Sequence, residues 1–310
     1  YASLGAYPGR KNRRLIMRFR NWIDKNLKYI FTVPTVVFVI VCIGYPLCYA
    51  IFMSFHSWRM SLVEGPVWVG LQNYVKLLTD TRNLNAILFT FKYFFVAVLF
   101  EVVLGVLLAL LLSKIRKHQG LIRTGFLFPM VATPIAMGYV WKTMFDSSLG
   151  FFNAVLRLLN CPVVNWYGSK TVFKSLMIME VWAGTPLIIL ITLAGITGLS
   201  TDIYESAKID GANELQATFR ITLPLLSPTI IMAFMLRGIE LLKVYDLIYA
   251  TTMGGPNQMT ENLNLLVYTY AFDYFQMGQA SALMIVFFVI VLVFALICMQ
   301  VKKLIEARYM

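Results

Sequence analysis

The chain alternates between long apolar runs and short polar or charged segments. A helix needs about 20 mainly apolar residues to cross the hydrocarbon core of a bilayer, and six of the runs reach that length. The pattern therefore predicts an all-α integral membrane protein with six transmembrane helices, in which Pro129, Pro134 and Pro186 mark kinks. The predicted spans cover residues 30–55, 86–113, 125–145, 173–199, 228–250 and 277–301.

The basic residues between these runs predict the orientation of the chain. An even number of spans places both termini on the same side of the membrane. Most Lys and Arg residues outside the spans fall in segments on the side of the N-terminus, an excess that is typical of cytoplasmic segments. We therefore expect a cytoplasmic basic segment at 1–29, a membrane domain at 30–301 and a cytoplasmic tail at 302–310. The segment 200–226, between the fourth and fifth spans, is then also cytoplasmic.

Composition supports a membrane protein and argues against other classes. Of the 310 residues, 59% are hydrophobic and 14% are charged, whereas soluble domains have about half and about a quarter. The net charge is +12, but no aromatic residues are interleaved with the basic cluster to stack on bases, so we expect no nucleic-acid partner. The two His and four Cys residues show no metal-ligand spacing, so no metal site is predicted.

The segment between the fourth and fifth predicted spans is charged, although both of its neighbours are apolar. Asp202 and Glu205 have the spacing of a capping box, which predicts a short helix over 203–210. Gly211 can adopt the left-handed conformation that ends such a helix. A second helix is expected to follow and to end at Pro224. From these residues alone, the segment is either a solvated loop with two caps or a helical turn that meets a partner.

The same segment resembles the EAA motif of binding-protein-dependent ABC importer permeases. That motif reads E-A-A-x-x-D-G-A, followed by an aromatic residue and I-x-L-P, and here a serine replaces the first alanine. The matching residues are Glu205, Ser206, Ala207, Asp210, Gly211, Ala212, Phe219, Ile221, Leu223 and Pro224. In that family the motif forms the coupling helix, which docks on a cytoplasmic ATPase. The resemblance therefore implies that the first six of these residues make the ATPase contact.

Three further stretches, VGLQNYVKLL, LIYATTMGGP and MGQASALMIVFFVIVLV, resemble the sugar-importer branch of that family, and within it the first, larger type of permease subunit. This resemblance implies a non-catalytic permease subunit of an ATP-driven importer of sugars or oligosaccharides in the bacterial inner membrane, working by alternating access. Its partners would be a second homologous permease subunit, two cytoplasmic ATPase subunits, an extracytoplasmic solute-binding protein and membrane lipid. The chain would bind no cofactor itself, since ATP and Mg would be held by the ATPase subunits. The chain also lacks the GxxxxGK[ST] phosphate-binding motif.

The fifth predicted span carries four ionisable residues within the sequence RGIELLKVYD, namely Arg237, Glu240, Lys243 and Asp246. Ionisable residues inside a membrane are costly, and they either pair with one another or face a pathway for substrate. Both interpretations stay open for these four residues. Glu101 and Glu180, in the second and fourth predicted spans, are expected to form hydrogen bonds between helices.

The family resemblance implies a sugar cavity at specific positions of the fourth and fifth spans. The implied residues are Gly184, Leu187, Arg237, Glu240, Leu241 and Val244. Lys243, as a cation, and Tyr245, as an aromatic ring, are further candidates for the substrate pathway. Arg237 and Lys243 would suit a carboxylate-bearing saccharide such as a uronate, whereas the neighbouring acidic residues could cancel their charge. Neutral and acidic sugars are therefore both candidate substrates.

A second class of protein would explain the same intramembrane charges. An autonomous secondary transporter or channel could use Glu101, Glu180 and the charges of the fifth span as an ion relay. Such a protein would carry its substrate without an ATPase partner, which distinguishes it from an importer subunit. A membrane-embedded enzyme is disfavoured, because the sequence shows no constellation of nucleophile, base or metal ligands.

Overall fold

A computed structural model of the chain describes residues 10–60, 64–115 and 119–309. Residues 1–9 and 310 of the two predicted terminal segments lie outside the described residues. The described chain is mainly helical, as predicted. Its helices are α1 (Arg10–Val39), α2 (Tyr45–Ser54), α3 (Gln72–Thr79), α4 (Thr81–Lys114), α5 (Gln119–Leu127), α6 (Pro134–Met144), α7 (Phe151–Leu158), α8 (Val172–Thr197), α9 (Thr201–Ile209), α10 (Glu214–Ala217), α11 (Leu223–Leu242), α12 (Asp246–Thr251), α13 (Leu263–Tyr268) and α14 (Met277–Tyr309). Two short strands, β1 (His56–Ser57) and β2 (Val67–Trp68), form an antiparallel pair.

Five helical stretches in the described part of the chain are long and apolar enough to cross a membrane. They are Lys25–Ser54, Thr81–Lys114, Val172–Thr197, Glu214–Leu242 and Met277–Ala307. A sixth candidate is the pair Gly120–Val131 and Pro134–Met144, whose two helices meet at an angle of 96°. The count is thus five, or six if the bent pair is one span.

The bend in the third predicted span occurs where the sequence places two prolines. Between α5 and α6 the chain forms a 3₁₀ turn, Phe128–Val131, with Pro129 near its start, and Pro134 begins α6. Proline lacks an amide donor and disfavours helix in the residue before it, so two prolines this close interrupt the helix. Pro186, by contrast, lies inside the uninterrupted helix α8.

The predicted stop at Pro224 is wrong, because the helix continues past it. A π-helical turn, Thr218–Thr222, connects α10 to α11, and the amide of Leu223 donates to the carbonyl of Thr218. Pro224 then occupies the first turn of α11, where a missing amide donor is tolerated. A change of hydrogen-bond register before the proline therefore keeps the helix continuous.

The predicted end of the fifth span, at residue 250, is also wrong. Helix α11 ends at Leu242, and α12 begins only at Asp246. Residues 243–245 between them form a break that the sequence does not mark with glycine or proline. The break exposes backbone carbonyl groups that need other partners.

The helices pack around a core formed mainly by α4, α8, α11 and α14. Gly105 of α4 lies directly against α8, because an added Cβ would come within 2.5 Å of the Cβ of Ile188. The segment 200–226 lies at one end of this bundle, where Lys114 at the end of α4 meets Glu214. We call the opposite end, which carries residues 55–60, 64–80, 145–171 and 243–276, the distal end.

Candidate functional site

The segment 200–226 folds as a helix, a tight turn and a second helix. Ser200, and not Asp202, is the N-cap of α9, since its side-chain oxygen accepts a hydrogen bond of 3.3 Å from the amide of Asp202. The predicted capping box of Asp202 and Glu205 is therefore wrong. Ser200 precedes two other residues that can cap a helix, and the sequence alone does not rank them.

The turn after α9 depends on Gly211. Its φ of +81° is left-handed, and the amide of Ala212 donates to the carbonyl of Ala207 at 2.9 Å, as in a glycine-terminated helix. A capping box that we did not predict then starts α10. The backbone amide of Gln216 donates to the side-chain oxygen of Asn213 at 2.8 Å, and the backbone amide of Asn213 donates to the side-chain oxygen of Gln216 at 3.0 Å. The spacing N-x-x-Q would have indicated it.

The turn presents a mixed apolar and charged surface away from the bundle. Ile209 and Leu215 have exposed fractions of 86% and 70%. Glu205 and Asp210 are also exposed, and neither has a side-chain partner among the described residues. Ala207 alone of the six candidate coupling residues is buried; the other five, which are exposed or half-buried, are Glu205, Ser206, Asp210, Gly211 and Ala212.

Among the described residues, one ion pair joins this segment to α4, and one hydrogen bond joins its first helix to its second. The ammonium group of Lys114 lies 2.7 Å from a carboxylate oxygen of Glu214, and the hydroxyls of Tyr204 and Thr222 are 3.1 Å apart. The ion pair is exposed to solvent and adds little stability. The turn is therefore held mainly by its own caps and by the continuous helix into α11.

A cavity of about 480 Å³ opens between the bent pair, α8 and the end of α11. Of the eight candidate residues for the substrate pathway, seven line it: Gly184, Leu187, Arg237, Glu240, Lys243, Val244 and Tyr245. Leu241 does not; it is 1% exposed and packs in the core. Polar side chains thus reach the cavity both from α8, at Glu180, and from the break after α11, at Lys243 and Tyr245.

Arg237 occupies the centre of a cluster of three carboxylates. Its Nε and Nη2 atoms donate to the two carboxylate oxygens of Glu101 at 2.6 and 3.0 Å. Nη2 also donates to Glu180, and Nη1 donates to Glu240 at 3.1 Å. The predicted interhelical hydrogen bonds of Glu101 and Glu180 are confirmed. Since each nitrogen of the guanidinium already donates to a carboxylate, Arg237 connects α4, α8 and α11 and has little capacity left for a substrate.

Two further residues complete this cluster. The hydroxyl of Tyr93 donates to the second oxygen of Glu180 at 2.6 Å; nothing in the sequence pattern indicated Tyr93. Gly184 lies so close that an added Cβ would overlap both the Arg237 guanidinium and the Glu101 carboxylate. The absence of a side chain at Gly184 therefore makes room for the ion pair.

Unlike Arg237, Lys243 has no carboxylate partner in the part of the chain that the structure describes. Of the two interpretations left open for these residues, pairing holds for Arg237 and Glu240, at 3.1 Å, whereas within the described residues Lys243 pairs with neither Glu240 nor Asp246. Lys243 is exposed at the break and lines the cavity. Of the four ionisable residues of the fifth predicted span, Arg237 is therefore buried, whereas Glu240, Lys243 and Asp246 are exposed and line the cavity.

Tyr245 brings aromatic surface to the same part of the cavity. Its ring stacks on Tyr249 at a centroid distance of 5.2 Å and lies 5.5 Å from Tyr268. Aromatic rings offer apolar faces together with a polar hydroxyl. Among the residues that the structure describes, no group of three or more His, Cys, Asp or Glu residues is arranged to hold a metal ion.

Residues 101–310 match a family described as the binding-protein-dependent transport system inner membrane component. The chain belongs to this family. It is 36% identical to the trehalose/maltose transport system permease protein MalF of Thermococcus litoralis, over 90% of this chain and 95% of that protein. It is 30% identical to the multiple sugar-binding transport system permease protein MsmF of Streptococcus mutans, over 94% and 100% of the two chains.

Solved structures show the same fold. A chain of a bacterial ABC transporter involved in the import of the acidic polysaccharide alginate superposes with a TM-score of 0.81, at 22% identity, over 92% of this chain and 98% of that one. A second structure shows a bacterial alginate ABC transporter in complex with a periplasmic protein that holds an alginate pentasaccharide. A chain of it superposes with a TM-score of 0.79, at 21% identity, over 91% of this chain and 96% of that one. The chain is thus a non-catalytic, multi-pass permease subunit of the inner membrane, and ATP hydrolysis belongs to a separate subunit of such systems.

Proposed function

We propose that this chain forms half of the pathway through which an ABC importer moves sugars or oligosaccharides across the membrane. The observation that carries the proposal is the cavity beside the Arg237 cluster, which Lys243, Asp246 and the aromatic ring of Tyr245 line together. A second homologous permease subunit would close the other side of the pathway. An extracytoplasmic solute-binding protein would deliver the sugar, and alternating access would release it inside.

The bent pair and the distribution of basic residues support a proposed arrangement of the chain in the membrane. We count the bent pair as one span, which gives six spans and both termini in the cytoplasm. The proposed domains are the segment 1–29, the membrane domain 30–301 and the tail 302–310, with the coupling turn 200–226 in the cytoplasm. The exposed residues of that turn would dock on one of two ATPase subunits, which bind ATP and Mg. The distal end would then meet the binding protein.

The chemistry of the cargo depends on Lys243. The structurally similar alginate transporters carry an acidic polysaccharide, while the relatives named for trehalose, maltose and multiple sugars are closer in sequence. Arg237 is already bound by three carboxylates. An acidic oligosaccharide would therefore place its carboxylate at Lys243, whereas a neutral sugar would use hydrogen bonds and Tyr245.

Replacing Lys243 with glutamine tests this distinction. For an acidic cargo we expect maximal uptake to fall about tenfold, because one charge-assisted hydrogen bond is lost. Lys243→Arg keeps the charge and should retain most of the uptake. For a neutral cargo, Lys243→Gln should change uptake less than twofold (about 0.4 kcal/mol). The measurement is the initial rate of radiolabelled sugar uptake into proteoliposomes, and equal loss in both variants would contradict a role for charge.

Reconstitution tests the proposed function itself. The chain, its sister permease and the ATPase subunits should take up sugar into proteoliposomes only with both ATP and the loaded binding protein. The same chain reconstituted alone should transport nothing, with or without an ion gradient. Gradient-driven uptake by the chain alone would favour an autonomous transporter and overturn the proposal.

A further inference from the structure

The break between α11 and α12 is held by side chains from a distant part of the chain. Carbonyl groups at the end of a helix lack partners within that helix, and buried ones need another donor. Here the Nδ2 atom of Asn262 donates to the carbonyl of Val244, and Nδ2 of Asn264 donates to the carbonyl of Lys243 at 2.8 Å. Two amides thus bind two consecutive carbonyls of the break.

Asn262 has a second role that can be separated from the first. Its Oδ1 atom accepts the amide of Leu265 at 2.9 Å and so caps α13. The residue is fully buried, and its two functional atoms face two different elements. An aspartate here keeps the accepting oxygen for the cap but loses the donor to the break.

The segment 261–264 is fixed to α4 from its other side. Glu261 receives two hydrogen bonds of 2.7 Å from Arg82, which also donates to the hydroxyl of Tyr274 at 2.7 Å. The amide of Leu263 donates to Thr90 at 2.9 Å. The segment therefore connects the distal end of α4 to the backbone of the break.

We propose that Asn262 and Asn264 are positioning residues that set the orientation of the cavity-lining side chains at the break. The carbonyls they bind belong to Lys243 and Val244, and the side chains of both residues line the cavity, as does that of Tyr245. Through Glu261 and Arg82 the same segment joins this part of the cavity to the start of α4. The proposal deepens the proposed function and rests on it for its link to transport.

The first measurement does not depend on the cargo. In a chain whose four cysteines are replaced by alanine, Tyr245→Cys is labelled with a charged thiol reagent in the assembled importer. Asn262→Asp and Asn264→Asp should each change the labelling rate about fivefold, the factor by which loss of one typical hydrogen bond shifts an equilibrium. Asn85→Asp is the matched control, because Asn85 is exposed on α4 and its side chain makes no hydrogen bond among the described residues.

The second measurement separates positioning from docking and from stability. Sugar uptake is measured against the concentration of loaded binding protein and normalised to the amount of assembled importer. We expect both variants to lower the maximal rate about fivefold while the half-saturating concentration and the basal ATP hydrolysis stay unchanged. If Asn262→Asp does not assemble, Asn264→Asp carries the test, since Asn264 caps no helix.

The outcomes distinguish this inference from the proposed function. Unchanged labelling and unchanged maximal uptake per importer would overturn the positioning role. A change confined to the half-saturating concentration would also overturn it and assign the segment to the docking surface instead. A wild-type importer that shows no ATP-dependent uptake, but altered labelling in both variants, would refute the proposed function and leave the positioning role standing.

Discussion

Replacing Arg237 with methionine is expected to destabilise the folded chain by about 3–5 kcal/mol, because removing one partner of a buried ion pair leaves uncompensated charge. Glu101 is fully buried and the side chain of Glu180 is 6% exposed, so both carboxylates would lose their counter-charge in a low-dielectric site. The measurement is the temperature at which the detergent-solubilised chain loses its monodisperse peak in size-exclusion chromatography. We expect this temperature to fall sharply.

A neutralised variant separates lost charge from lost packing. Combining Arg237→Met with Glu101→Gln and Glu180→Gln removes the unpaired charges and should restore most of the stability, because a neutral buried set is often as stable as an ion pair. Arg237→Lys should be intermediate, since a lysine cannot reproduce the planar fork that contacts Glu101 with two nitrogens. If Arg237→Met has the thermal stability of the wild type, the cluster does not hold the helices together.

Hydrophobic runs of sufficient length were enough to predict a mainly helical membrane protein, which has five or six candidate spans in the described part of the chain. The pattern was less informative about where a helix is interrupted. Pro129 and Pro134 marked the bend in the third predicted span. No residue type marked the break at 243–245, because two of its carbonyls are bound by Asn262 and Asn264 from elsewhere in the chain. A break that depends on tertiary contacts leaves no local signal.

The charged cluster shows the same limit. Arg237 and Glu240 lie three residues apart on one helix, so their spacing allowed a pairing, but the sequence left open whether they pair or face a substrate pathway. Glu101 is separated from Arg237 by 136 residues, and only the packing of α4 against α11 shows that the two meet. The sequence therefore predicted which residues are polar inside the membrane, but not that Arg237 is bound and Lys243 is accessible.

Substitutions in the turn after α9 are expected to disconnect ATP hydrolysis from transport. Gly211 has a left-handed φ, and an added Cβ would have nothing within 4 Å. Gly211→Val therefore meets only backbone strain, about 1–3 kcal/mol, and should change the shape of the turn while the bundle stays folded. We expect uptake driven by ATP and loaded binding protein to fall about tenfold or more, the effect that strain of this size can have on docking. Basal hydrolysis by the ATPase subunits should remain.

Gly211→Asn is the matched control, because asparagine tolerates the left-handed conformation better than other residues with a side chain. It should keep most of the uptake and of the hydrolysis that the loaded binding protein stimulates. Glu205→Lys tests the charge of the same surface, with Glu205→Gln as its neutral counterpart. If Gly211→Val and Glu205→Lys both show normal stimulated hydrolysis and uptake, the turn is not the coupling element. If uptake is lost in Gly211→Val but kept in Gly211→Asn, coupling between the ATPase and the cavity requires the left-handed conformation at position 211.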